Sequence, residues 1–457
     1  MILANSLLAL PVELLNAIGQ VTQSGDLPSL LLSNKVINHA LTPLLYASIT
    51  LTRASAATKC ADTLAQDPAH HYSGRDLASL VRIFIRRGPY SHARPLARMS
   101  RLKHCVFDAT DVGTPKVCMA LARATARTLR TIVFFPVKEG RWPDDSDPSV
   151  FDDFHPDFPE LTSVTLVLYD SLPPTWFAFF QHLLTSRSEH IRDLSICDYY
   201  LLTLKTLFPN PGAWSALKEL TITMEKTGIS LVDLPHAPSL RKLTLDTGVT
   251  TEIPDSIPEH LFPNLAYLAC PYQLLPLFLP ANARKQRPIR TVRLNRAYFD
   301  PNGEAKDSFT PAHIPDWDDV RVALASLPRS AGPVVNLAFY CEWFDAETFP
   351  SEIVDNVKTL EQLVIVLHYD PEDAEHLLHF GERLFAHMPR LHSFYLSDAP
   401  IKAGDVMCTF DFALRNSREE RWLTEWARHT SALTEVALTT ERGWRRLEDG
   451  WTIGWYF

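Results

Sequence analysis

The stretch Leu217-Lys218-Glu219-Leu220-Thr221-Ile222, echoed by Leu240-Arg241-Lys242-Leu243-Thr244-Leu245, decides the fold. Each reads apolar, two variable residues, apolar, one variable residue, apolar. The phrase returns clearly at Leu161, Val164 and Leu166, at Ile191, Leu194 and Ile196, at Leu360, Leu363 and Ile365, and at Leu433, Val436 and Leu438. Weaker copies begin at Leu80 (with Ile83 and Ile85), Leu102 (Cys105, Phe107), Leu129 (Ile132, Phe134) and Leu265 (Leu268, Cys270). Three more begin at Ile289 (Val292, Leu294), Val334 (Leu337, Phe339) and Leu391 (Phe394, Leu396). About 13 copies run from residue 80 to the C-terminus, mostly spaced in the twenties of residues. The last two apolar residues of each phrase alternate, as on a half-buried strand. One unit cannot bury its apolar side alone, so neighbours must stack and share a core.

The segments between phrases agree. Pro159, Pro238, Pro263 and Pro389 each stand two residues before a phrase. A proline there ends a preceding helix and sets an extended lead into the strand. Helix-like returns are expected over 174–185 and 374–387. The chain therefore resembles an irregular leucine-rich-repeat solenoid, an α/β fold with one strand and a helical or irregular return per repeat. It departs from that family's motif. The asparagine expected after the final leucine is mostly absent, with Glu225 and Gly248 in its place in two good copies. The spacing also stretches between Ile289 and Val334 and between Leu391 and Leu433, which reads as insertions or degenerate units.

At 457 residues, with 46% apolar and 21% charged residues, the chain is globular and long enough for a large core. A formal net charge of -9 argues against a general nucleic-acid binder, and Lys and Arg form no dense run. The seven cysteines are an odd number at wide spacings with no C-x-x-C, and Cys105 and Cys270 fall on inward phrase positions. Reduced thiols serving as small hydrophobes in an intracellular setting explain this. The apolar N-terminus lacks a basic start and is interrupted by Pro11 and Glu13, so it reads as folded structure. No uncharged apolar stretch is long enough to span a membrane.

Residues 10–51 read differently. Pro11 suits the start of a helix whose Leu14, Leu15 and Ile18 share one face. Asp26 is a candidate N-cap, Pro28 lies in the first turn, and Leu27, Leu30 and Leu31 give the next apolar face. A third helix is expected over 36–45, and residues 46–51 alternate as a strand would, giving the repeats a first rung.

This segment resembles an F-box. The resemblance is carried by Leu10, Pro11, Glu13, Leu14, Leu15 and Ile18 and by the run from Asp26 to Lys35, with a tail from Leu44 to Leu51 like that of fungal F-box proteins. It covers about forty residues; the repeats cover nearly all the rest. The family's basic residue is kept as Lys35, and its tryptophan is missing. The resemblance implies a three-helix F-box-like module over 1–46, a repeat solenoid over 47–457 with an aromatic C-terminal cap, and a receptor subunit of a cullin-RING (SCF-type) ubiquitin ligase. It further implies that Leu10, Pro11, Leu14, Leu15, Ile18, Leu27, Leu30 and Leu31 meet a Skp1-like adaptor and its cullin complex. Buried apolar anchors supply most of the affinity in such helical contacts. The plainer alternative is an N-terminal cap on a repeat scaffold that joins no ligase.

A receptor of this type carries no catalytic residue and no cofactor, and no P-loop, G-x-S-x-G or G-x-G-x-x-G motif occurs. His376 and His379, with Glu375 and His387 nearby, do not match H-E-x-x-H and read as solvated helix histidines rather than metal ligands. Asp144, Asp145, Asp147, Asp152, Asp153 and Asp157 read as a solvated acidic loop, and Trp444, Trp451, Trp455, Tyr456 and Phe457 as closure of the last repeat. The variable residues of the strands are expected on the concave, substrate-binding face: Thr165, Val167, Thr221, Thr223, Thr244, Asp246, Arg293 and Asn295. That row is chemically mixed and suggests a protein partner, with neither nucleic acid nor membrane, in the cytoplasm or nucleus.

Overall fold

A computed structural model describes residues 10–22, 26–51, 54–66, 76–86, 98–109, 127–136, 158–168, 174–198, 214–229, 234–249, 256–295, 317–341, 349–367, 374–398, 416–438, 442–448 and 450–456. Its contacts group into two compact units, 1–200 with 206–209, and 201–205 with 210–457. The helical module belongs to the first unit.

The first unit opens with three helices, α1 (Val12–Val21), α2 (Leu27–Ser33) and α3 (Lys35–Ala47). The α3 N-terminus is capped by Asn34, whose Oδ1 accepts the Val36 N–H at 2.7 Å. Asp26 makes no side-chain cap on α2. Gly19 lets α1 approach α3: a Cβ there would lie 2.7 Å from a Leu44 methyl and 2.9 Å from a Leu41 methyl. Six parallel strands follow in chain order: β1 (Ser48–Leu51), β2 (Ile83–Arg86), β3 (His104–Ala109), β4 (Thr131–Pro136), β5 (Ser163–Leu168) and β6 (Asp193–Asp198). Helix α4 (Ala54–Ala65) follows β1, and α5 (Pro174–Arg187) follows β5.

The register is that of a repeat. Ile49, Phe84, Cys105, Ile132, Val164 and Leu194 pair successively across the six strands, and from Phe84 to Leu194 all are at most 2% exposed. One phrase is thereby corrected. The first full rung reads Val81 and Phe84, both fully buried, whereas Leu80 and Ile85 are half-buried and Ile83 is exposed. Five of the six residues from Leu80 to Ile85 are apolar, so the Leu80 frame satisfies the phrase in full, whereas the frame from Val81 ends on Arg86. Pairing of Ile83 with His104 settles the register one residue later.

The second unit continues with eight parallel strands: β7 (Glu219–Ile229), β8 (Lys242–Val249), β9 (Tyr267–Pro271), β10 (Thr291–Asn295), β11 (Asn336–Cys341), β12 (Gln362–Leu367), β13 (Ser393–Asp398) and β14 (Glu435–Ala437). Leu220, Leu243, Leu268, Val292, Leu337, Leu363, Phe394 and Val436 form its inward ladder, each at most 1% exposed. Strands β7 and β8 run on through Glu225 and Gly248, where the repeat motif expects its asparagine. Both stretched intervals are insertions and not degenerate rungs, since β10 pairs directly with β11 and β13 with β14. An antiparallel hairpin ends the sheet, β15 (Arg442–Leu447) and β16 (Gly450–Tyr456), with Gly450 at φ 133 beside its turn. It places Trp444 against Val436, 4% exposed.

Before many of the strands the chain makes one kind of turn. The N–H of the first phrase residue donates to the carbonyl three residues back, as from Leu161 to Phe158 at 3.0 Å, Leu240 to Ala237 at 3.1 Å and Leu391 to Met388 at 3.1 Å. Pro159, Pro238 and Pro389 occupy the second turn position, which their fixed φ favours. The preceding Phe158, Ala237 and Met388 are buried, so at these repeats the turn adds a core residue.

Return helices cover the inward ladder. Short α6 (Leu275–Phe278), then α7 (Trp317–Leu324), α8 (Phe349–Asn356), α9 (Ala374–Phe385) and α10 (Asn416–His429) complete the set. In the first unit the Phe180 ring of α5 meets Phe134 of β4 edge-on at 5.1 Å. In the second, Phe385 meets Phe394 at 5.4 Å and Trp426 at 5.2 Å. Gly381 permits this, because any Cβ there would overlap the Trp426 indole. Each fully buried large apolar side chain is worth about 1.5–3 kcal/mol, so the ladder and helices dominate stability.

Candidate functional site

Two surfaces carry the expected site residues. The first is the helical module. Its own core is Leu15, Leu27, Leu31, Ile37, Ala40 and Leu41, with Leu10, Leu30, Leu44 and Leu45 packed around it. Of the residues assigned to an adaptor, Leu15, Leu27 and Leu31 therefore hold the module together, Leu10, Ile18 and Leu30 are half-buried, and Pro11 and Leu14 are exposed. Consecutive leucines explain the split. A helix turns about 100° per residue, so of Leu30, Leu31 and Leu32 only Leu31 faces fully inward, and Leu32 is 85% exposed. Val12, Val21 and Val36 are likewise exposed apolar residues that the sequence reading did not single out.

The second surface is the strand face that alternates with the inward ladder. In the first unit Thr165 of β5 is half-buried and pairs with Val133 and Ser195, while Val167 is buried. In the second unit Thr221, Thr244, Ala269 and Arg293 stand side by side on β7 to β10. Thr223 pairs with Asp246, and Asn295 with Pro271. The expected residues of that unit thus share one face.

That face also holds residues not expected. Arg293 Nη2 donates to the Tyr340 hydroxyl at 3.4 Å. Burial tends to lower the Arg293 guanidinium pKa, but Tyr340, Tyr267 and Asp246 outweigh it and raise it. Asp246 is raised by burial, with Arg293 pulling the other way. Lys242 bridges to Glu219 at 3.0 Å and lies 5.6 Å from the Tyr267 ring centroid. Further along, Glu435 accepts from Tyr395 at 3.0 Å and pairs with Arg445 at 3.0 Å. Burial would raise the Glu435 pKa; those hydrogen bonds and the Arg445 charge bring it below the usual carboxylate range. Tyr267 and Tyr395 occupy variable phrase positions and Tyr340 directly follows its phrase, a signal legible in the sequence once the register is known.

Chemically this face can bind, through hydroxyls, amides and compensated charges flanked by rings. Among the described residues no three His, Cys, Asp or Glu side chains converge to hold a metal ion. His379 is exposed and 3.3 Å from Glu382, and His387 is exposed. The His376 side chain, the aspartates from Asp144 to Asp157, and Phe457 lie outside the described residues. No helix among the described residues is long and apolar enough to cross a membrane. No protein-family model matches the chain, and no curated protein matches its sequence.

Proposed function

We propose that this chain is the substrate-recognition subunit of an SCF-type ubiquitin ligase, with a Skp1-like adaptor on the N-terminal helices and a protein substrate on the open strand face. One observation carries the reading. A three-helix module displaying Val12, Leu14, Leu32 and Val36 to solvent runs without a linker from α3 into β1, the first strand of a repeat sheet. Such a chain holds one partner at its end and another along its strands. Ubiquitin transfer then belongs to other subunits, and the receptor works in the cytoplasm or nucleus without a cofactor.

Co-expression with a Skp1-like adaptor tests this. The intact chain is expected to co-purify with the adaptor, and a Val12→Asp/Leu14→Asp variant, altered only at exposed positions, to fold and lose it. Failure of the intact chain to retain the adaptor overturns the reading. A second reading, a scaffold outside any ligase with the module as its cap, is favoured by the burial of Leu15, Leu27 and Leu31 in the module itself.

A further inference from the structure

The second residue of each phrase lies just before its strand, and the register brings these residues together. In the first unit they are Arg82, Lys103, Arg130, Thr162 and Arg192. Their backbones interlock. The Arg82 carbonyl accepts the N–H groups of Lys103 and His104 at 2.8 and 3.1 Å, and the Lys103 carbonyl those of Arg130 and Thr131 at 2.8 and 3.0 Å. Arg130 and Thr162 repeat the pattern towards the next rungs. Adjacent rungs are therefore one strand spacing apart, about 4.8 Å. Four of these five positions are basic, and all four side chains are exposed. Lys218, Arg241 and Arg290 hold the same register position in the second unit.

The row is poorly neutralised. Arg130 meets Glu160 at 3.4 Å, with both side chains more than half exposed, and such a pair exchanges readily for another carboxylate. Among the described residues Arg82, Lys103 and Arg192 form no ion pair; Asp193 is the nearest acid in sequence to Arg192. Like charges one rung apart repel, and an anionic partner relieves that repulsion.

We propose that Arg82, Lys103, Arg130 and Arg192 form a docking edge for an acidic protein segment, whose carboxylates pair with successive rungs. The proposal rests on the reading that the repeats hold a protein partner. An acidic peptide fits better than nucleic acid. The net charge of -9 opposes a long polyanion. In the first unit no aromatic side chain stands at this register position to stack a base.

The test is fluorescence anisotropy with a labelled Glu-rich peptide and the full chain at low salt. Arg82→Ser/Lys103→Ser/Arg192→Ser is expected to weaken binding about tenfold or more, the sum of three modest ion pairs. Lys358→Ser/Arg390→Ser/Arg421→Ser removes the same charge from exposed positions off the row and is expected to change affinity less than about twofold. Three results each overturn the proposal: no binding by the intact chain, equal loss in both variants, or tighter binding of a single-stranded oligonucleotide of equal charge. Circular dichroism on each variant establishes folding, and a single Lys103→Gln variant gives the same comparison if the triple variant unfolds. No adaptor is present in the titration, so this result and the co-purification result stand or fall separately.

Discussion

The carbonyl of Ala47, the last residue of α3, accepts the backbone N–H of Arg82 at 2.9 Å. That bond is the first step of the ladder that joins the later rungs of the first unit, through Arg82, Lys103, Arg130 and Thr162. The helical module is therefore fastened to the repeats by the same geometry that fastens the repeats to one another. Arg82→Pro removes the donor and is expected to destabilise the first unit by about 3 kcal/mol. Arg82→Glu keeps the donor and should leave thermal stability nearly unchanged. Urea unfolding of both variants checks the contrast, and equal losses would contradict it.

The corrected register makes a sharp comparison possible. Phe84 is fully buried and Ile83 is exposed. Phe84→Ala is expected to cost about 3–5 kcal/mol, and Ile83→Ala less than about 1 kcal/mol. The reverse order would restore the Leu80, Ile83, Ile85 frame.

How far the sequence reveals this molecule depends on which signals are local. The inward ladder is legible because Leu220, Leu243 and Leu363 each carry their own phrase. The frame failed only at Leu80 to Ile85, where apolar residues crowd both faces. The basic row was not legible. Arg82, Lys103, Arg130 and Arg192 are far apart in the chain, and only strand pairing stacks them. In the module, three successive leucines conceal which one is core. The antiparallel hairpin of β15 and β16 was not legible because it departs from the repeated phrase, and only strand pairing brings Arg445 to Glu435.

Arg287 is a buried staple of the return between β9 and β10. Its Nη1 donates to the Phe278 carbonyl at 2.6 Å, and its Nη2 to the carbonyls of Ile257 at 3.1 Å and Pro258 at 2.7 Å. Burial pulls its pKa down to about 10, with Glu259 opposing. Arg287→Met leaves three carbonyls without this donor and is expected to cost about 3 kcal/mol or more. Arg287→Lys, lacking the planar fork, should recover only part of that loss. Denaturant midpoints of the two variants decide it; a neutral Arg287→Met would contradict the role.

Glu435 and Asp246 should respond to acid in opposite senses. The folded pKa of Glu435 is lowered, so its contribution is present above the unfolded carboxylate value and disappears as pH falls through the folded pKa. Glu435→Gln should therefore lose stability at neutral pH and little in acid. The folded pKa of Asp246 is raised, so its ionised form weakens the fold above that pKa, and protonation relieves the cost. Asp246→Asn should gain stability at neutral pH, with the gain shrinking in acid. Melting curves across that range check both signs.

In the proposed division of labour the helices hold an adaptor and the strands a substrate. Amide hydrogen exchange of the full chain with and without a Skp1-like adaptor tests it most directly. The expected result is slowed exchange within residues 10–47, with strands β7 to β14 unchanged. Unchanged exchange in the helices, or slowing centred on the strands, would contradict the account.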